Sequence, residues 1–183
     1  NQYPDTLINF RDCMVDVRTM EEIPHDPKFY AINQIPFSWK EVKATSSGTE
    51  IEKFFNFIFT SADDRKMFLE FVGLCFTKDS SQQRFLTLCG VGGTGKSVLI
   101  RLVEAAVGRE NISNVSLQEL SKRFNTSLLV GKLLNSCADL SAEMLDDAAV
   151  MKKLLGEDRL FSERKGENGF MFSSYAKLLF STN

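Results

Sequence analysis

The sequence is poor in the features that would settle its class at once. No stretch approaches the 18 or so apolar residues of a membrane span; charge-free runs such as 54–62 and 85–95 are short, and the second carries four glycines. The start lacks a basic region followed by an apolar one, so no signal peptide is expected, while Asn1 and the apolar run ending at Asn183 read as cuts from something longer. A single histidine, His25, stands between Pro24 and Pro27 as a turn residue and cannot support a metal cluster or a Ser-His-Asp set. The four cysteines (Cys13, Cys75, Cys89, Cys137) are 62, 14 and 48 residues apart, which excludes zinc knuckles and redox pairs. Three of them lie in apolar runs, as small hydrophobes in a reducing, intracellular compartment would. With 22 basic and 24 acidic residues the chain has no coat of positive charge, so any nucleic-acid contact must come from a local patch. There is no internal repeat.

What remains is an ordinary folded composition: 183 residues, 43% hydrophobic and 25% charged. That is close to one domain, long enough to bury roughly 70% of its unfolded surface without a staple. All four prolines fall within residues 1–36; Met14 to Arg18 alternates and Phe29 to Ile32 is apolar, so 1–46 is expected to be a lead-in of short strands and turns, with Lys43 to Gly48 as a linker. Residues 47–82 change character. Ser47 with Glu50 and Ser61 with Asp64 have capping-box spacing, and behind them Ile51, Phe54, Phe55, Ile58 and then Phe68, Phe71, Val72, Cys75 recur at helical intervals. The phenylalanines are expected to be a core stripe of two packed helices rather than a base-stacking face.

From residue 83 onward strands and helices alternate, the signature of an α/β fold with a parallel sheet. Phe85 to Cys89, Lys132 to Ala138 and Lys177 to Thr182 are strand candidates; Ser97 to Val107 (closed by Gly108) and Leu117 to Leu129 are helix candidates. Ser141 is placed to cap a further helix with Glu143, Asp146 and Asp147 in its first turns, Lys152 and Lys153 near its end, and Gly156 closing it. Arg159 to Ser162 and Gly169 to Ser173 flank a glycine-containing turn as a β-hairpin.

The chemistry concentrates at Gly90-Val91-Gly92-Gly93-Thr94-Gly95-Lys96-Ser97, a complete G-x-x-x-x-G-K-[ST] between an apolar run and an amphipathic helix. The glycines let successive backbone N–H groups converge on an anion, and the helix adds its positive end. Lys96 is placed for the β- and γ-phosphates and Ser97 for Mg²⁺. Chance would produce the motif at about 4 positions in 100,000. Asp139, ending an apolar strand, is the candidate to complete the metal shell beside this loop, with Glu143 the nearest other acid. Asn183 ends another strand, where an amide is placed to orient the attacking water. Arg164, Lys165 and Gly166 meet at the hairpin tip, where a phosphate backbone could be gripped.

In this order the pieces resemble the superfamily 3 helicases, and most closely the phage and plasmid primase-helicases related to the poxvirus-type primase-helicase. Gly90 to Ser97 looks like their Walker A motif and Leu133 to Ser141 like motif B. Lys152 to Gly166 resembles a Lys-x-Leu-x-Gly-x-Asp stretch followed by a basic-Lys-Gly hairpin, and Lys177 to Asn183 resembles motif C; Val15 to Thr19 and Pro24-His25 resemble the lead-in. The resemblance implies an AAA+-like P-loop NTPase core over 83–183, truncated after motif C. It implies an ATP- and Mg²⁺-dependent DNA helicase motor, commonly a hexameric ring, encoded by a phage or mobile element and working in a bacterial host's cytoplasm, with single-stranded DNA in the channel and a primase domain or polymerase as partner. By motif position, Lys96 and Ser97 would hold phosphate and Mg²⁺, Asp139 would be the motif B acid, Asn183 the sensor, and Lys165, then Arg164, the DNA contacts. Three departures stand out: Thr94 stands where the family often has Asn, Ala138 replaces the first of two acids usual in motif B, and the arginine finger of the family lies beyond motif C. Residues 1–183 alone are therefore expected to bind nucleotide and hydrolyse it poorly. The rival readings are a small-molecule kinase on the same loop, for which no arginine-rich lid is present, and a nucleotide-gated assembly module without turnover.

Overall fold

A four-stranded parallel sheet organises the chain. The computed structural model describes residues 4–45, 48–120, 122, 125–138, 152, 154–156, 159–163, 166 and 168–182. Three antiparallel strands come first, β1 (Leu7–Asn9), β2 (Met14–Asp16) and β3 (Glu21–Ile23), forming a small sheet of their own. The expected strand around Phe29 to Ile32 does not form. Asp26 caps a 3-10 turn at Pro27–Phe29, Tyr30 takes a left-handed conformation, and Tyr30 and Ile32 are left exposed. The linker expected at 43–48 is partly helical, because α1 runs Trp39–Ala44. Its start is held by Asp12, whose carboxylate accepts the Trp39 and Lys40 amides at 2.7 and 3.1 Å and the Ser38 hydroxyl at 2.8 Å.

α2 (Thr49–Ile58) and α3 (Ala62–Leu74) follow. Ser61 caps α3, accepting the Asp64 amide at 3.3 Å, whereas the residue capping α2 is Gly48; Ser47, expected in that role, lies outside the described residues. Phe55, Phe68, Phe71 and Cys75 are buried, and Phe55 and Phe59 pack their rings on Phe68.

Then come β4 (Phe85–Cys89), α4 (Lys96–Val107), a short β5 (Ile112–Ser113), α5 (Leu117–Leu120), β6 (Leu134–Ala138), a hairpin of β7 (Leu160–Ser162) and β8 (Phe170–Phe172), and β9 (Lys177–Thr182). The helix expected over 117–129 is shorter: α5 is four residues and Asn125–Leu129 is a 3-10 helix, ahead of Gly131 at φ +72°. Asn, Thr and Ser in succession at 125–127 are weak helix formers, which favours the tighter turn. The helix expected from Ser141 lies almost wholly outside the described residues.

The sheet order is β4-β9-β6-β5 with every pair parallel. β9 is its centre. Leu179 faces one apolar cluster, with Leu99, Val103, Phe68 and Leu134, while Leu178 and Phe180 face another, with Leu117, Leu120, Leu129 and Leu160. A strand covered on both faces has no solvent side, so it reads as a continuous apolar run. Ile8, Phe10, Val15 and Ile35 of the lead-in share the first cluster with α3 and α4. A polar chain stitches the same parts together: Asn33 donates to Asn111 Oδ1 at 3.0 Å and to the Gly131 carbonyl at 2.7 Å, Tyr175 donates to Asn33 Oδ1 at 3.0 Å, and Asn9 donates to the Asn33 carbonyl at 2.9 Å.

Candidate functional site

The glycine loop joins β4 to α4. Its local geometry follows from residue type. Gly93 (φ +81°) and Gly95 (φ +90°) adopt conformations that side chains disfavour, and they turn the chain from strand into helix within six residues. Thr94 steadies the turn by donating its hydroxyl to the Val91 carbonyl at 2.8 Å. Lys96, first residue of α4, folds back across the loop and donates to the carbonyls of Gly90 and, at 3.0 Å, Val91. Ser97 is exposed beside it, and its carbonyl accepts Arg101 Nε at 3.2 Å. The remainder of α4 buries Leu99, Ile100, Val103 and Val107, so the helix start is anchored by its own apolar face.

The loop sits at the carboxyl edge of the parallel sheet, where open α/β folds bind ligands. Register makes that edge level: Cys89 pairs with Thr182, and Ala138 with Ser181. β9 lies between β4 and β6, the strand that precedes Asp139 in sequence. Two inter-strand spacings, about 10 Å, therefore separate the ends of β4 and β6. Asp139 and Asn183 directly follow β6 and β9 in sequence. They lie outside the described residues, as do Glu143, Arg164 and Lys165. The hairpin that leads to Arg164 and Lys165 is in place, with Leu160 opposite Phe172 and Ser162 opposite Phe170. Gly166 takes φ +82° in its turn, and Thr126 ties its base by donating to Ser162 Oγ at 3.1 Å.

The surroundings hold a feature that sequence reasoning missed. The end of α2 rests against the loop: a Cβ built on Gly95 would lie 2.6 Å from Ile58 Cδ1 and 3.9 Å from Phe54 Cε2. The only signal was Ile58 and Phe54 within the helical stripe, which specifies burial but not a partner. At the opposite end of the sheet Lys177 is buried, donating to the Thr77 carbonyl at 2.7 Å and the Tyr175 carbonyl at 3.1 Å. Burial lowers its pKa to about 8, against the pull of Cys75, Asp79 and Asp5. Burial also raises the neighbouring Cys75 thiol to about 12. His25 donates Nε2 to the Phe10 carbonyl at 2.9 Å, as a turn residue would. Among the described residues no group of three or more His, Cys, Asp or Glu is placed to hold a metal, and no helix is long and apolar enough to cross a membrane.

Comparison with known proteins gives two family matches. Residues 88–183, just over half of the chain, match the family of unknown function DUF5906. Residues 2–60 match the D5 N terminal like family. No curated protein matches the chain. Among solved structures, the apo C-terminal region of NrS-1 shares the fold. One structure has a TM-score of 0.62 at 20% identity over 76% of this chain; an A-form structure has 0.61 at 21% identity over 75%. The chain spans about a third of the length of these structures, 35% and 34% respectively.

Proposed function

Because the chain belongs to the family of unknown function DUF5906, with a D5-like stretch ahead of that match, we propose that it is a relative of the replication primase-helicases whose motor core hydrolyses ATP. The observation that carries this reading is the glycine loop: it lies between a parallel strand and an amphipathic helix, with Lys96 folded across it at the carboxyl edge of the sheet. The loop fits a phosphate chain. A Cβ on Gly92 or Gly93 would meet no atom within 4 Å, so open space lies over both residues. The Lys96 ammonium already spans the loop mouth.

On this reading Lys96 neutralises and aligns the phosphates and the loop amides bind their oxygens. Ser97 and Asp139 hold Mg²⁺, which supplies further charge neutralisation when bound. Asn183 orients the attacking water at the head of β9. Phosphoryl transfer asks little covalent chemistry of the protein, so alignment and electrostatics supply most of the rate. Lys165, with Arg164, grips single-stranded DNA from the β7–β8 hairpin in a ring of identical subunits, commonly six. The level ends of β4, β9 and β6 support this assignment, because the strands that precede Asp139 and Asn183 in sequence end at the same edge as the strand that leads into the loop.

The test is ATP hydrolysis by the full-length protein with and without single-stranded DNA. DNA is expected to raise turnover several-fold, Lys96→Ala to abolish it without unfolding, and Lys165→Ala to remove only the stimulation. Turnover indifferent to DNA would leave the nucleotide site and overturn the motor.

A further inference from the structure

The aromatic residues of α2 do not all serve the core. Phe55 is buried and Phe54 half-buried, on the stripe that faces α3 and the sheet. Phe57 stands off that stripe and is 82% exposed, the most exposed of the large hydrophobic side chains among the described residues. Phe57 precedes Ile58 directly and follows Phe54 by three residues in α2. Phe54 and Ile58, which flank Phe57 on the last turn of α2, are the two side chains that meet Gly95 of the glycine loop. The apolar character continues across the loop itself. Val91 at its tip is 74% exposed, and Val98, in the first turn of α4, is 46% exposed. The glycine loop thus carries exposed aliphatic side chains of its own, besides its contact with Ile58 and Phe54 at the end of α2.

We propose that the end of α2, with Phe57 as its exposed ring and Phe54 and Ile58 as its base against Gly95, is the platform on which the base of the loop-bound nucleotide stacks. This rests on the reading of the loop as a nucleoside-triphosphate site and adds the part of the ligand that the loop does not touch. The ligand class follows from the chemistry. Phosphates engage backbone amides and Lys96, whereas a flat, poorly hydrated ring is what an exposed phenylalanine beside such a loop can hold. Stacking on an aromatic face tolerates any base, because every base has a π-face. Phenylalanine has no donor or acceptor with which to read the base edge. Asn56, next to Phe57 in sequence, is engaged with Arg65, which is also paired with Glu52. The platform therefore supplies affinity with little choice between adenine and guanine.

The experiment uses the full-length protein and two probes, ATP and inorganic tripolyphosphate, each measured by calorimetric titration. Phe57→Ala, a change at an exposed position, is expected to weaken ATP about tenfold and leave tripolyphosphate unchanged. Phe57→Tyr is expected to keep ATP affinity and Phe57→Leu to lose most of it, which separates ring stacking from apolar contact. Phe57→Trp adds a fluorescence signal that ATP and GTP quench to a similar extent and tripolyphosphate does not. Unchanged ATP affinity in Phe57→Ala, or an equal loss for both probes, overturns the platform while the phosphate loop stands. If the wild-type protein binds neither probe, loop and platform fall together.

Discussion

The Glu104 carboxylate of α4 accepts the hydroxyl of Ser136 in β6, and the same carboxylate oxygen takes Asn114 Nδ2 at 3.0 Å. Asn114 also donates to the Ser136 carbonyl at 3.0 Å and to its hydroxyl at 2.8 Å. Glu104 lies eight residues beyond Lys96 on one helix, and Ser136 three residues before Asp139. The link therefore fixes the helix that begins at the glycine loop to the strand that leads to Asp139. Ser136→Ala removes one partner of a half-buried carboxylate that keeps Asn114, and it is expected to cost about 1 kcal/mol of stability. Glu104→Gln should cost less, and a double-mutant cycle by urea unfolding should show strong coupling between the two positions. Additive losses would mean that the bond is incidental.

The two glycines at 92 and 95 should respond differently to alanine. Gly95 sits at φ +90°, so Gly95→Ala strains the backbone by about 1–2 kcal/mol. The contact with Ile58 Cδ1 adds less, because the end of that side chain can rotate aside. At Gly92 the new methyl enters open space, and stability should stay within about 0.5 kcal/mol of wild type. Thermal unfolding of the two variants decides the matter, and equal losses would contradict the geometry.

Thiol reactivity maps the loop directly. Cys89 is exposed and immediately precedes Gly90, whereas Cys75 is fully buried with its thiol raised to about 12. A disulfide reagent should modify Cys89 fastest and Cys75 only on unfolding. Tripolyphosphate should slow the Cys89 phase, and Cys89→Ser should delete it. A fast phase that ignores tripolyphosphate would count against phosphate binding at this loop.

Lys177 predicts an alkaline effect whose sign can be worked out. Its folded pKa, about 8, lies below the ordinary 10.5. Below pH 8 both states carry the proton and the full penalty of burying the charge is present. Above it the folded state releases the proton first, the unfolded chain binds more protons, and stability rises, by about 1 kcal/mol between pH 8 and 9. Cys75 and Tyr175 act in the opposite sense. Burial holds both near 12, so above pH 9 and 10 the unfolded chain ionises first and stability is lost. Urea titrations should show a rise to about pH 9 and then a plateau or fall. Lys177→Met should lack the rise, and parallel curves would refute the assignment.

Where residue pattern and local geometry coincide, the sequence was legible. Phe85–Cys89 and Lys177–Thr182 form strands with the bounds that their apolar runs mark, and the helix after the glycine loop ends at Gly108 as expected. The parallel sheet was legible from the alternation of strand and helix. Its order was not, because nothing in a run such as Lys177 to Thr182 tells which two strands it will separate. α1 escaped notice although Ser38 and Glu41 have capping-box spacing, because it is only six residues long and Asp12, 26 residues before Ser38, supplies further hydrogen bonds at its start. The contact of Ile58 with Gly95 escaped for the same reason: the periodicity of α2 marks a buried face without naming what covers it.

The position of β9 sets the order in which the molecule can be finished. β4 and β6 both pair with it and not with each other, and Tyr175 just before it closes the polar chain back to Asn33, 142 residues earlier. On the ribosome, the glycine loop is synthesised some eighty residues before its strand acquires a neighbour. Until 177–182 emerge from the exit tunnel, the nascent chain carries an unpaired β4 and an apolar α4 with no completed sheet to cover them. Such intermediates are exposed to aggregation and chaperone capture. Messages that stall before the codon for Lys177 should therefore yield a product whose β4 has no partner strand beside the loop, however complete its motif.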